Sequence, residues 1–282
     1  MPQNETSALS RLRRWFRRPP VVPVIRLTGL IGLSTPLRPG ITMSGVARQI
    51  DRAFDYKQAR AVALSINSPG GSPVQSHLIF RRIRQRAAEK KLPVYAFVED
   101  VGASGGYMLA CAGDEIVCDV SSVVGSIGVV GATFGFDRAI AKLGIERRIY
   151  TAGEHKVSLD PFLPEDPDDV ARLMAIQHDI HLGFIDLVKT SRGVRLKGPE
   201  SALFSGEYWA GRKALEYGLV DGLGDLRSVL RQRFGDEVRL PVMAERGWLA
   251  RRLSGTRQFP AGLGDEILSA LEARALWARY GL

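Results

Sequence analysis

Apolar positions along the chain fall into two patterns. Short continuous runs, bounded by glycine, proline or polar clusters, predict buried strands. These are VVPVIRLTGLIGL (residues 21–33), AVALSIN (61–67), PVYAFVE (93–99), EIVCD (115–119) and VVGSIGVV (123–130). IERRIYT (145–151) predicts one more. Between them lie stretches with helical period. Residues 44–59 place Val46, Ile50, Ala53 and Phe54 on one face. Residues 73–90 predict an inner stripe of Val74, Leu78, Ile79, Ile83 and Ala87, with Arg81, Arg82, Arg84 and Arg86 as a solvated face. Helices are also expected over 135–144, over 166–192 with Val170, Leu173, Ile176, Ile180, Phe184 and Val188 in register, and over 206–217. Strands alternating with helices predict βαβ units, a parallel sheet and the α/β class.

Composition refines this outline. With 282 residues, 45% of them hydrophobic and 24% charged, the chain is globular and within reach of one large α/β domain. The expected division is a basic arm over 1–20, a domain over 21–240 and a helical tail over 241–282. In that tail Ile267, Leu268, Leu271, Ala275 and Leu276 share a face, which suits packing on its own domain as well as a partner or a membrane. The net charge is +9 and unevenly placed: RLRRWFRR carries five arginines between Arg11 and Arg18, with Trp15 and Phe16 among them. That composition suits a solvated arm or a peripheral membrane contact. Nucleic acid is not expected as a partner, since no recognition motif accompanies the arm. The run 21–33 is short and contains Pro23 and Arg26, so no spanning helix is expected. Cys111 and Cys118 form no metal or disulfide framework. No cofactor or metal is expected.

The chemistry gathers at two glycine turns, each following an apolar run: NSPGG (67–71) and GASGG (102–106). In open α/β sheets the reactive crevice lies off the carboxyl ends of the strands. Neither turn has phosphate-loop spacing. GASGG fits the nucleophile-elbow pattern, with Gly102 and Gly106 flanking Ser104. A serine nucleophile needs a base and two N–H donors for the oxyanion. The amide of Gly105 can be one donor, and that of Gly70 or Gly71 the other. Of the four histidines, His178 and His181 lie in mid-helix, whereas His77 and His155 stand open as candidate bases. Lys156 is the other candidate. It sits in a loop before VSLDPF, an apolar run able to cover an amine, in a chain with 31 arginines and only 8 lysines. A lysine acts as a base only where a dry setting lets it shed its proton near neutral pH, a change worth about 4 kcal/mol. A crotonase-like acyl-CoA enzyme and a non-catalytic peptide-binding ring remain alternatives on these residues.

LSINSPGGSP, EDVGASGGYMLACAGDEIVCD, VGSIGVV, TAGEHKVSLDPF and GLVDGLG occur in the order seen in the signal peptide peptidase A family, also called protease IV, with its SohB-like members. The chain resembles a short member over roughly residues 21–231. The resemblance implies a Clp-protease/crotonase-like α/β fold with repeated ββα-type units, a single catalytic domain and a serine–lysine peptidase. Carried over by motif, Ser104 would be the nucleophile, Lys156 the general base and Ser126 the residue orienting the lysine amine. Gly70 and Gly105 would form the oxyanion hole, with Gly71 shaping it. The resemblance also implies peptide substrates such as cleaved signal peptides, and a homo-oligomeric ring whose neighbouring subunits help to complete each site. Typical members carry an N-terminal anchor where this chain has the arginine-rich arm, which favours a cytoplasmic or membrane-surface location.

Overall fold

Each of the first four strands starts within an apolar run that predicts it. In the computed structural model, residues 19–32, 40–153, 155–243, 277, 278 and 280 are described. The elements follow in the order β1 (Val24–Thr28), α1 (Met43–Phe54), β2 (Val62–Ser68), α2 (Pro73–Lys90), β3 (Val94–Ala103), α3 (Gly105–Ala110), β4 (Glu115–Cys118) and β5 (Val123–Gly125). Then come α4 (Asp137–Lys142), α5 (Pro167–Arg192), α6 (Glu200–Leu203), β6 (Tyr208–Ala210), α7 (Gly211–Glu216), β7 (Gly222–Leu223) and α8 (Leu226–Phe234). The main path of the sheet is β1-β2-β3-β4-β7, with every pair parallel. β5 pairs parallel with the end of β3 and antiparallel with β6. This agrees with the α/β expectation.

The strands read as unbroken apolar runs because both faces of the sheet are covered. On β2, Val62, Leu64 and Ile66 join Ile50, Ile79 and Ile83 in the larger core. Ala61 and Ala63 face the other way, toward Val22, Val24, Phe97, Val117 and Leu230 of α8. Thr42 caps α1 by accepting the Gly45 N–H, and Ser72 caps α2 by accepting that of Gln75, with proline in the first turn of α2. β3 is the longest strand. Its first half lies between β2 and β4, and its last three residues pair with β5.

Several expectations differ from the structure. Val74 and Leu78 are 65% and 44% exposed, and the inner stripe of α2 runs through Ser76, Ile79, Ile83 and Ala87. Ser76 lies inward because its small side chain fits over the turn at Gly105. The strand expected at 145–151 does not form in one chain; Arg147 there pairs with Asp160 of the following loop. The strand expected over 123–130 ends at Gly125, because Ser126 turns the backbone with φ 54°. The helix expected from 206 starts at Gly211, since Tyr208–Ala210 adds a strand to β5. α5 spans its expected length, but among its apolar residues only Phe184 and Val188 are fully buried. Ile176 and Ile180 of its expected stripe are exposed. The arginine-rich segment 11–18 and the apolar face from Ile267 to Leu276 lie outside the described residues.

Candidate active site

The end of β3 and the turn after β2 come together at Ser104. Pairing of Ser68 with Gly102 brings the NSPGG turn alongside the GASGG turn. Ser104 follows the strand directly and caps α3 with φ 51° and ψ −122°, a conformation that L-residues rarely adopt. Such a backbone stores about 1–3 kcal/mol of strain and persists only where its surroundings hold it. Two hydrogen bonds do so: the Ser104 N–H donates to Gly125 O at 2.8 Å, and Ser104 O accepts the Met108 N–H at 3.0 Å. Among the described residues the Ser104 hydroxyl has no hydrogen-bond partner.

The glycines around it leave room that no side chain could. A Cβ on Gly70, whose φ is 106°, would lie 2.8 Å from the Ser104 Cβ and 2.9 Å from the Gly105 nitrogen. One on Gly105 would lie 2.4 Å from Ser76 Oγ, and one on Gly106 would lie 2.3 Å from Ser68 O. Gly71 crosses Ile31, whose carbonyl oxygen would be 2.2 Å from an added Cβ. Gly105 occupies the first helical position, where an N–H has no acceptor within the helix. The Gly70 N–H donates to Ser68 Oγ at 3.2 Å. Ser68 is wholly buried, and its part in shaping this turn is one that sequence reasoning missed.

Ser126 joins the cluster through the backbone. It is 5% exposed, it follows the Gly125 carbonyl that holds Ser104, and its own N–H donates to Glu207 O at 2.6 Å. Lys156 stands apart. It is exposed, its backbone N–H reaches Gly153 O, and among the described residues its amine has no hydrogen-bond or ion-pair partner. The expected apolar cover is not supplied within one chain, since Phe162 and Leu163 of that loop are themselves exposed. Two carboxylates shape the loop. Asp160 accepts the Phe162 N–H and pairs with Arg147, contacts that hold its carboxyl below the usual range. The buried Asp169 of α5 accepts the Leu159 N–H at 3.1 Å. Asp169 carried no signal in the sequence beyond its place in the first turn of a helix. His155 is exposed in the same loop, and His77 stands exposed on α2, 6.4 Å from the Phe80 ring.

α3 is anchored from behind. The Tyr107 hydroxyl donates to Leu219 O at 2.7 Å. Beside it the fully buried Arg192 makes two bonds to the Asp221 carboxylate, at 2.7 and 2.8 Å, and two to Gly218 O. Burial pushes both thiols, Cys111 and Cys118, up to about 12, so neither competes as a nucleophile. Among the described residues no cluster of three or more His, Cys, Asp or Glu could hold a metal ion.

Comparison with known proteins gives this cluster a context. The sequence model of Peptidase family S49 matches residues 86–235, which include Ser104, Ser126 and Lys156. The chain is 53% identical over 272 residues to the Na(+)/H(+) antiporter NhaA of Brucella abortus (strain 2308), covering 93% of this chain and 37% of that protein. It is 32% identical over 214 residues to the chloroplastic serine protease SPPA of Arabidopsis thaliana, covering 73% of this chain and 31% of that protein. The chain thus spans about a third of the length of these relatives. Among its described residues no helix is long and apolar enough to cross a membrane. A solved membrane-bound stomatin-specific protease mutant, in complex with a substrate peptide, aligns over 84% of this chain and 98% of its own, with 16% identity and a TM-score of 0.48. With the model matching more than half of its length, the chain belongs to peptidase family S49.

Proposed function

We propose that the chain is a serine endopeptidase working with a Ser104–Lys156 dyad on peptides such as cleaved signal peptides or membrane-derived fragments. The observation that carries this reading is the strained Ser104, its hydroxyl without a partner among the described residues, beside the bare turn at Gly70. Neutral Lys156 takes the Ser104 proton as Oγ attacks the peptide carbonyl. The N–H groups of Gly70 and Gly105 stabilise the oxyanion, with Gly71 shaping the turn; the Gly70 N–H must turn from Ser68 Oγ to do so. Lys156 then protonates the leaving amine, and water, deprotonated by the same amine, hydrolyses the acyl-enzyme. Ser126 orients the lysine.

The exposure of Lys156 supports a site completed by assembly. Phe134, Leu143, Ile145 and Tyr150 precede its loop in sequence and are 71%, 73%, 55% and 91% exposed. A second copy of the chain laid on this surface would bury that apolar area and dry the amine, as in a homo-oligomeric ring. The domain would be residues 21–240, preceded by a basic arm over 1–20 whose composition suits a peripheral membrane contact and followed by a tail over 241–282.

The test is intact-mass analysis after treatment with a fluorophosphonate, alongside hydrolysis of a peptide library. The wild-type protein gains one adduct on Ser104 and cleaves peptides; Ser104→Ala and Lys156→Arg do neither, because a guanidinium does not lose its proton. Labelling and turnover that persist in Lys156→Arg would remove the dyad. CoA-dependent turnover surviving Ser104→Ala would make the chain an acyl-CoA enzyme, and peptide binding without labelling a non-catalytic ring.

A further inference from the structure

Resting on the peptidase reading, we propose that His181 is a positioning residue that holds the segment beyond Ser126 in place as the rail on which a substrate peptide pairs. β5 ends at Gly125, and Ser126 makes the last backbone bond to the β6 side, its N–H donating to Glu207 O. From residue 127 to residue 135, among the described residues, the backbone makes no backbone–backbone hydrogen bond; the next is from Phe136 to Pro161 O. A backbone with unspent N–H and C=O groups is the recurring surface for capturing a peptide. This one starts immediately after the serine assigned to the lysine, and its Gly125 carbonyl holds the nucleophile's own N–H.

Among the described residues, one side-chain hydrogen bond fixes that segment. The His181 Nε2 lies 3.1 Å from Ile127 O. A carbonyl only accepts, so Nε2 carries the proton and donates. His181 sits on α5 one turn before the buried Phe184, so its ring is carried by a helix already locked into the core. One turn earlier on the same face, Gln177 lies against Gly131, where an added Cβ would meet its Nε2 at 2.5 Å. The segment from Ile127 to Gly131 therefore runs along the Gln177–His181 face of α5. Holding the Ile127 carbonyl keeps the segment from collapsing onto the helix or swinging away, and leaves the following peptide groups free to pair.

The experiment compares wild type, His181→Ala and His181→Gln on one cleavable peptide, with fluorophosphonate labelling of Ser104 alongside. A small phosphonate needs no rail, so labelling of His181→Ala matches wild type. Peptide cleavage by His181→Ala shows a roughly five- to tenfold rise in KM, the size expected from one ordering hydrogen bond, with kcat changed less. His181→Gln, which keeps an N–H donor, recovers most of the difference. On the Ser104→Ala background, fluorescence anisotropy shows the same weakening for a labelled peptide, with no turnover involved. An unchanged KM and unchanged anisotropy in His181→Ala overturn the proposal, as does a loss of labelling equal to the loss of cleavage. A wild-type protein that neither labels nor cleaves overturns the peptidase reading itself, and the anisotropy arm still decides whether His181 governs peptide binding.

Discussion

At the scale of single residues, the proposed chemistry depends on two backbones that resist ordinary side chains. Ser104 adopts a conformation that suits glycine better, and Gly70 leaves the space in front of it empty. Gly70→Ala forces a methyl to within 2.8 Å of the Ser104 Cβ, at a φ where alanine is strained. Turnover of peptides then falls by at least about a hundredfold, the scale of one lost oxyanion donor, and steady-state kinetics beside circular dichroism checks it. The glycine turn that holds Ser104 was legible in the sequence because glycine at three of the five positions of GASGG leaves few physical explanations. The tether from His181 to Ile127 was not legible, because the two lie 54 positions apart and a mid-helix histidine looks like any surface residue.

Among the elements, α3 matters most, because it fixes where Ser104 stands. It has six residues, every one buried, and its rear support is the hydrogen-bonded group of Tyr107, Leu219, Gly218, Arg192 and Asp221. Burial raises the Asp221 carboxyl, but the hydrogen bonds from Arg192 and the Ile116 N–H, with the Arg192 and Arg195 charges, outweigh it and hold it below the ordinary range. A depressed carboxyl contributes stability that is complete above its unfolded value of about 3.9 and is lost as pH falls through the folded value. Acid should therefore loosen this anchor, and urea denaturation of Asp221→Asn should show a flatter loss of stability below about pH 4. Near neutral pH the same variant should lose about 3–5 kcal/mol, since Arg192 keeps a buried charge without its partner. Helical periodicity located α2 and α5 within one residue at each end and ran α1 five residues too far, while short elements escaped it. β6 is three residues long and exists only because β5 offers an edge, a tertiary circumstance that local pattern does not carry.

For the molecule as a whole, the alternating pattern was enough to foresee a parallel sheet covered on both faces, and the apolar content of β1 to β4 is the physical reason. Exposure was foreseen poorly. Ile176 and Ile180 keep the helical register of a core stripe yet stand 58% and 38% exposed in a single chain. Periodicity reports which face is apolar, without saying whether its cover comes from the same chain. If that cover is another copy, Ile176→Asp should leave circular dichroism unchanged, reduce the mass measured by light scattering and abolish peptide cleavage. A variant that stays assembled and active would exclude this face from the interface.

The open position of the Lys156 loop has a consequence for control. If the base of the proposed dyad is dried only by a neighbouring copy, each newly synthesised chain is latent. Destructive chemistry then switches on with crowding, so the specific rate of cleavage climbs with enzyme concentration before levelling off, and dilution alone returns the protein to quiescence.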